Sequence, residues 1–113
     1  MDGVELRSKY NEIIDFCQNE IETNDLSEDQ YQKITKLKEN LALAIRKIDN
    51  IKFKGNGVAF KNFNNNLTES NKALLSDIEK LEGFCNTIRT AGAAVNVITD
   101  FIEIGTKLAS YAP

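Results

Sequence analysis

Apolar residues recur along this chain in steps of three and four. Leu6, Tyr10, Ile13, Cys17 and Ile21, with Ile14 alongside, trace one stripe and predict a helix over about residues 3–24. A second stripe of Ile34, Leu37, Leu41, Ile45, Ile48 and Ile51 predicts a helix over about 28–53, with Lys33, Lys36, Lys38, Arg46 and Lys47 on its outer side. From Phe60 a seven-residue rhythm takes over through Leu67, Leu74, Leu81, Ile88, Val95, Ile102 and Ala109. The companion positions Phe63, Asn71, Ile78, Cys85, Gly92 and Gly105 are only partly apolar. A rhythm sustained that far predicts coiled-coil-like packing by one long helix or two collinear ones.

Local signals place the boundaries. Asp2 followed by Glu5 is an acidic N-cap for the first helix, and Ser27 with Gln30 is a capping box for the second. Leu26 and Tyr31 occupy the positions of a hydrophobic staple around that box. The turn between the two helices is short, so they are expected to lie antiparallel. Gly55-Asn56-Gly57 reads as the end of the second helix, and Asn66 with Glu69 as a further capping signal. An unbroken helix from Phe60 to Ser110 would be roughly 75 Å long, about twice the reach of the second helix. Thr87, Thr90 and Gly92 weaken helix propensity in between, which predicts helices over about 60–90 and 91–111. The fold expected is all-α: an antiparallel helical hairpin, then a long helix kinked or broken near residue 92. Together they make a three- or four-helix bundle in a single domain, 1–113.

The most apolar stretch is Thr90 to Leu108, yet only Thr90–Thr99 is free of charge, short of the ~20 residues a membrane span needs. Asn96, Asp100, Glu103, Lys107 and Ser110 then form one narrow polar stripe, with Glu103 and Lys107 spaced for an ion pair. Ala91, Ala94, Val95, Ile98, Phe101, Ile102, Gly105, Leu108 and Ala109 make up a broad dry side. That side can be buried in the chain's own bundle, against a second copy or another protein, or in a membrane. Those nine residues are the expected interaction surface, with Gly105 and Ala109 allowing close approach.

Composition removes more functions than it suggests. With 42% hydrophobic and 27% charged residues in 113, this is an ordinary one-core chain. Its net charge of −3 hides an acidic segment 1–30 at −7, a basic segment 31–62 at +6 and a remainder at −2, as expected of two complementary helices side by side. Phe53, Phe60 and Phe63 alternate with Lys52, Lys54 and Lys61, a weak single-strand nucleic-acid pattern in an acidic protein. The glycines lack the spacing of a phosphate loop. There is no histidine, and the two cysteines, Cys17 and Cys85, are not spaced for zinc. The acidic, polar first residues do not look like a secretory signal, so a cytoplasmic protein with free thiols is expected, with a Cys17–Cys85 disulfide the alternative if their helices are neighbours.

Catalytic, cofactor and metal sites are therefore not expected, and no small-molecule substrate is evident. The reading is a non-catalytic protein–protein interaction or scaffold module, self-associating through its C-terminal amphipathic helix or binding a protein partner. The alternative is a membrane-active, pore-forming-like protein that inserts residues 90–112, and nucleic-acid binding ranks below both.

Overall fold

Asp2 starts the first helix by accepting the Glu5 amide at 2.9 Å, and Ser27 and Gln30 start the second by a reciprocal pair of bonds at 3.2 and 3.1 Å. These caps satisfy amides that a helix N-terminus leaves unpaired. In this computed structural model, residues 1–53 and 57–113 are described. The helices are α1 (Gly3–Phe16), α2 (Glu28–Phe53), α3 (Gly57–Glu69), α4 (Asn71–Ala91) and α5 (Val95–Ala109), and a π-helical segment, Cys17–Ile21, continues α1. The expected turn at Gly55 and Asn56 lies outside the described residues.

The all-α bundle is as expected, and the long helix does break near residue 92. Gly92 has φ +86° and ψ 173°, a region that L-residues enter only under strain, and its amide ends α4 by bonding to the Ile88 carbonyl at 3.0 Å. Its chain reversal sends α5 back along α4. The longest dimension of the molecule is 45 Å, which leaves no room for the ~75 Å rod of an unbroken helix.

Ion pairs read out the directions. Arg7 with Asp49 and Glu22 with Lys38 make α1 and α2 antiparallel, whereas Lys9 with Glu82 and Glu20 with Arg89 make α1 and α4 parallel. Neighbours around the ring are α1, α2, α5 and α4, with close packing at α1–α2, α2–α5 and α5–α4. α3 packs against α1, α2 and α4 at the end where α1 begins. There Asn64 of α3 accepts the Gly3 amide at 2.8 Å, and Gly3 sits so close to Phe60 and Phe63 that a Cβ would meet them at 3.1 and 2.9 Å.

The core follows the stripes. Leu6, Tyr10, Ile13, Cys17 and Ile21 meet Ile34, Leu37, Leu41 and Ile48, all buried, while Ile45 and Ile51 are half-buried. Leu67, Leu74, Leu81 and Ile88 keep the seven-residue rhythm, but Val95, next in the series, is 67% exposed because Gly92 resets the phase. Helix boundaries depart from expectation at two further points. The 60–90 helix is interrupted at Ser70 (φ −92°, ψ 6°), within the polar run Thr68 to Asn71, where Thr, Ser and Asn have weak helix propensity. The first helix loosens to π geometry beyond Cys17, whose carbonyl accepts the Glu22 amide at 2.9 Å, and Phe16 and Cys17 are both buried.

Candidate interaction surfaces

The dry side of the C-terminal helix is covered from within the chain. Of the nine residues expected to form an interaction surface, Ile98, Phe101, Gly105 and Leu108 are buried, and Ile102 and Ala109 are half-buried. Only Ala91, Ala94 and Val95 are exposed. The close approach expected at Gly105 is made to Leu37 of α2, whose Cδ2 would stand 3.0 Å from a Cβ at that position. Phe101 meets the Phe16 ring at 5.5 Å between centroids, a tilted aromatic pair in the interior. Apolar atoms of α5 find their cover on α2 and α4, so no second molecule is needed to keep them from water.

The polar stripe faces outward as expected, with Asn96, Asp100, Glu103, Lys107 and Ser110 all exposed. Lys107 does not serve the expected Glu103 pair. It turns to α4, where its ammonium donates to Asp77 at 3.2 Å, and the Tyr111 hydroxyl donates to the same carboxylate at 3.3 Å. Asp77 is 2% exposed, so this clamp holds a buried charge and fixes the end of α5 on α4. Tyr10 adds a second tie by donating to the Leu108 carbonyl at 2.9 Å. Burial, with the nearby Tyr111 adding, pushes the Tyr10 hydroxyl well above the ordinary phenol range.

An opening remains at the fourth seam of the ring, between α1 and α4. A groove of about 220 Å³ runs there, walled by Ile13 and Phe16 on one side and Ile78, Leu81 and Cys85 on the other, with Leu108 of α5 also lining it. Its rim is charged with both signs. Lys9 bridges the seam to Glu82 at 3.3 Å while also meeting Glu12 at 3.4 Å, and the bond to Glu82 is the main reason its pKa is raised. Arg89 lies over the Phe16 ring at 5.0 Å and reaches Glu20 at 3.8 Å. Both straps are solvent-exposed ion pairs, of the kind worth at most about 1 kcal/mol, so little opposes their exchange for other partners.

Phe16 carries this groove, and the apolar stripe of the first helix omits it because it falls one residue before Cys17. A spacing signal does exist: Ile13, Phe16 and Glu20 lie at steps of three and four.

Of the aromatic–basic pattern around residue 53, Lys54 lies outside the described residues, and the described rings differ in burial. Phe63 is buried and Phe60 half-buried, both against Gly3, which leaves Phe53, 73% exposed with Lys52 over its ring at 5.3 Å. Phe53 shares a surface recess with Val4, Arg7 and Asp49, and the bidentate Arg7–Asp49 pair forms part of its wall. Among the described residues no helix is long and apolar enough to cross a membrane. No protein-family model, no curated protein and no solved structure matches the chain.

Proposed function

We propose that the protein is a non-catalytic protein–protein interaction module that receives an amphipathic helix of a partner in the seam between α1 and α4. The observation that carries this reading is the unequal closure of the ring: three seams are closely packed, and the fourth is a groove with buried apolar walls and a half-buried Cys85. A volume of about 220 Å³ suits one or two apolar side chains rather than a drug-sized molecule, which fills roughly 300–1,000 Å³. Anchors of that size at i and i+3 or i+4 on a helix are a recurrent way for one protein to grip another. The rim then selects orientation. Glu12 and Glu82, joined by Lys9, flank one end and Arg89, paired with Glu20, the other, so a partner helix with a basic residue toward the first and an acidic one toward the second would exchange with Lys9 and Glu20. This moves the interaction reading from the C-terminal helix, whose dry side is already covered, to the seam that helix helps to floor.

The test uses two variants that each add one large side chain. Asn86→Trp fills the groove from its α4 wall, and Thr106→Trp places the same bulk on the exposed face of α5. A partner that binds the wild type and Thr106→Trp but loses at least about tenfold affinity for Asn86→Trp supports the reading. A partner, a second copy included, that ignores Asn86→Trp and is lost from Thr106→Trp places the contact elsewhere. Flotation of the protein with anionic liposomes, abolished by deleting residues 90–113, would favour the membrane-active alternative.

A further inference from the structure

We infer that Cys17 and Cys85 are a redox-active pair that closes into an intramolecular disulfide between the start of the π-helical segment and α4. Formation of the bond does not depend on the interaction reading; only its effect on partner binding does.

The placement follows from the tie nearest the cysteines. α1 and its π-helical extension run parallel to α4, and Glu20 with Arg89 joins the two there. Cys17 stands three residues before Glu20 and Cys85 four residues before Arg89. Each cysteine is thus about one helical turn below the same clasp, on parallel helices. Phe16 marks that level as well, since its ring lies under the Arg89 guanidinium and it lines the groove together with Cys85. Residues Cys17–Ile21 also pack directly against α4. Phe16 and Cys17 both keep α-helical dihedrals and are both buried, and the π turn opens only after Cys17, whose carbonyl accepts the Glu22 amide at 2.9 Å. Both thiols are free, and the neighbouring Cys85 adds to burial in opposing ionisation of Cys17.

The two sulfurs are unequal in access, which assigns their roles. Cys85 is half-buried and lines the open groove, while Cys17 is fully buried. With a hydroperoxide as oxidant, the Cys85 thiolate attacks one peroxide oxygen, the O–O bond breaks, and a sulfenic acid and one water result. Cys17, losing its proton, then attacks the Cys85 sulfur; the S–O bond breaks, the S–S bond forms, and the second water leaves. Two thiols and one peroxide become one disulfide and two waters, the sulfur pair giving up two electrons. Burial pushes Cys85 up to about 11 and Cys17 to about 12, so thiolate is scarce at neutral pH and the first step accelerates about tenfold per pH unit up to roughly pH 10. A closed bond ties the mouth of the groove at the Arg89 end, which under the interaction reading excludes a partner helix there.

The reduced full chain, dilute and at about pH 9, is treated with hydrogen peroxide and followed by intact mass, with Cys17→Ser and Cys85→Ser in parallel. The expected product is a monomer lighter by two hydrogens, restored by dithiothreitol, with a thermal midpoint raised by about 10 °C or more because the bond closes a loop of about 70 residues. Cys17→Ser should strand Cys85 as a sulfenic acid trapped by dimedone, and Cys85→Ser should leave Cys17 unmodified. The proposal is overturned if the wild type retains two free thiols, gains oxygen without losing two hydrogens, or forms the bond only in urea.

Discussion

Two glycines at which an added methyl group would find nothing within 4 Å should respond to alanine with opposite signs. Gly83 lies inside α4 and Gly92 ends it, and a Cβ would meet no neighbour at either position. Packing therefore drops out and the backbone alone decides. Gly83 has no positive φ, so Gly83→Ala removes a flexible residue from an exposed helix interior and should stabilise by about 0.8–1 kcal/mol. Gly92, at φ +86° and ψ 173°, occupies a region reached almost only by glycine, and forcing an L-residue into it costs about 1–3 kcal/mol. The two variants should differ by roughly 2–4 kcal/mol in urea unfolding, with unchanged m-values. On the thermal scale one kcal/mol corresponds to about 4–8 °C for a domain near this size, so midpoints should separate by at least ~8 °C. Semisynthesis sharpens the contrast, because D-alanine at position 92 suits positive φ and should be at least neutral. Equal effects of the two L-alanines, or a stabilising Gly92→Ala, would refute the claim that the positive φ of Gly92 makes the turn between α4 and α5.

Other perturbations follow from the interior. Tyr10→Phe leaves the Leu108 carbonyl without its donor and should cost about 1–2 kcal/mol in denaturant unfolding, with α5 the first element to lose hydrogen-exchange protection. Lys107→Met strands the buried Asp77 carboxylate with Tyr111 alone and should destabilise by about 1–3 kcal/mol, whereas Lys33→Met, which breaks an exposed pair with Asp29, should change stability by less than about 0.5. Stability should also fall with alkali. Cys17, Cys85 and Tyr10 hold their protons more tightly folded than unfolded, so the native state binds more protons above about pH 9 and loses up to ~1.4 kcal/mol per pH unit per group. Their contribution is fully present below about pH 9, and Cys17→Ala should flatten the decline in a urea-midpoint series from pH 7 to about 10.5.

Much of the bundle is legible as spacing because its helices are capped locally. Ser27 and Gln30 find each other across three residues, and Gly92 announces a reversal by lacking a Cβ; neither needs tertiary information. The wet stripe from Asn96 to Ser110 is likewise a property of one helix. What spacing misses lies where two segments far apart in sequence settle a local question. Asn64 and Asn71 look like weak helix formers until they accept from Gly3 and the Met1 amine, bonds that span 61 and 70 residues. Val95 continues the rhythm of seven in sequence but not in space, since the turn at Gly92 to Ala94 shifts the phase between two separate helices. Lys107 prefers Asp77 over Glu103 because a buried carboxylate needs the charge more than an exposed one does. The groove is the hardest feature to read, since a seam is visible only once the order of helices around the ring is known.

Who covers the dry side of α5 is the central claim, and hydrogen exchange measured across a dilution series tests it most directly. At concentrations where light scattering returns the mass of one 12.7 kDa chain, amides of residues 95–109 should exchange as slowly as those of 34–48. That protection should be unchanged on further dilution, because Leu37, Phe16 and α4 belong to the same molecule as Gly105 and Phe101. Protection of α5 that falls away as the chain is diluted, while α1 and α2 keep theirs, would contradict the account and assign the cover to a second copy.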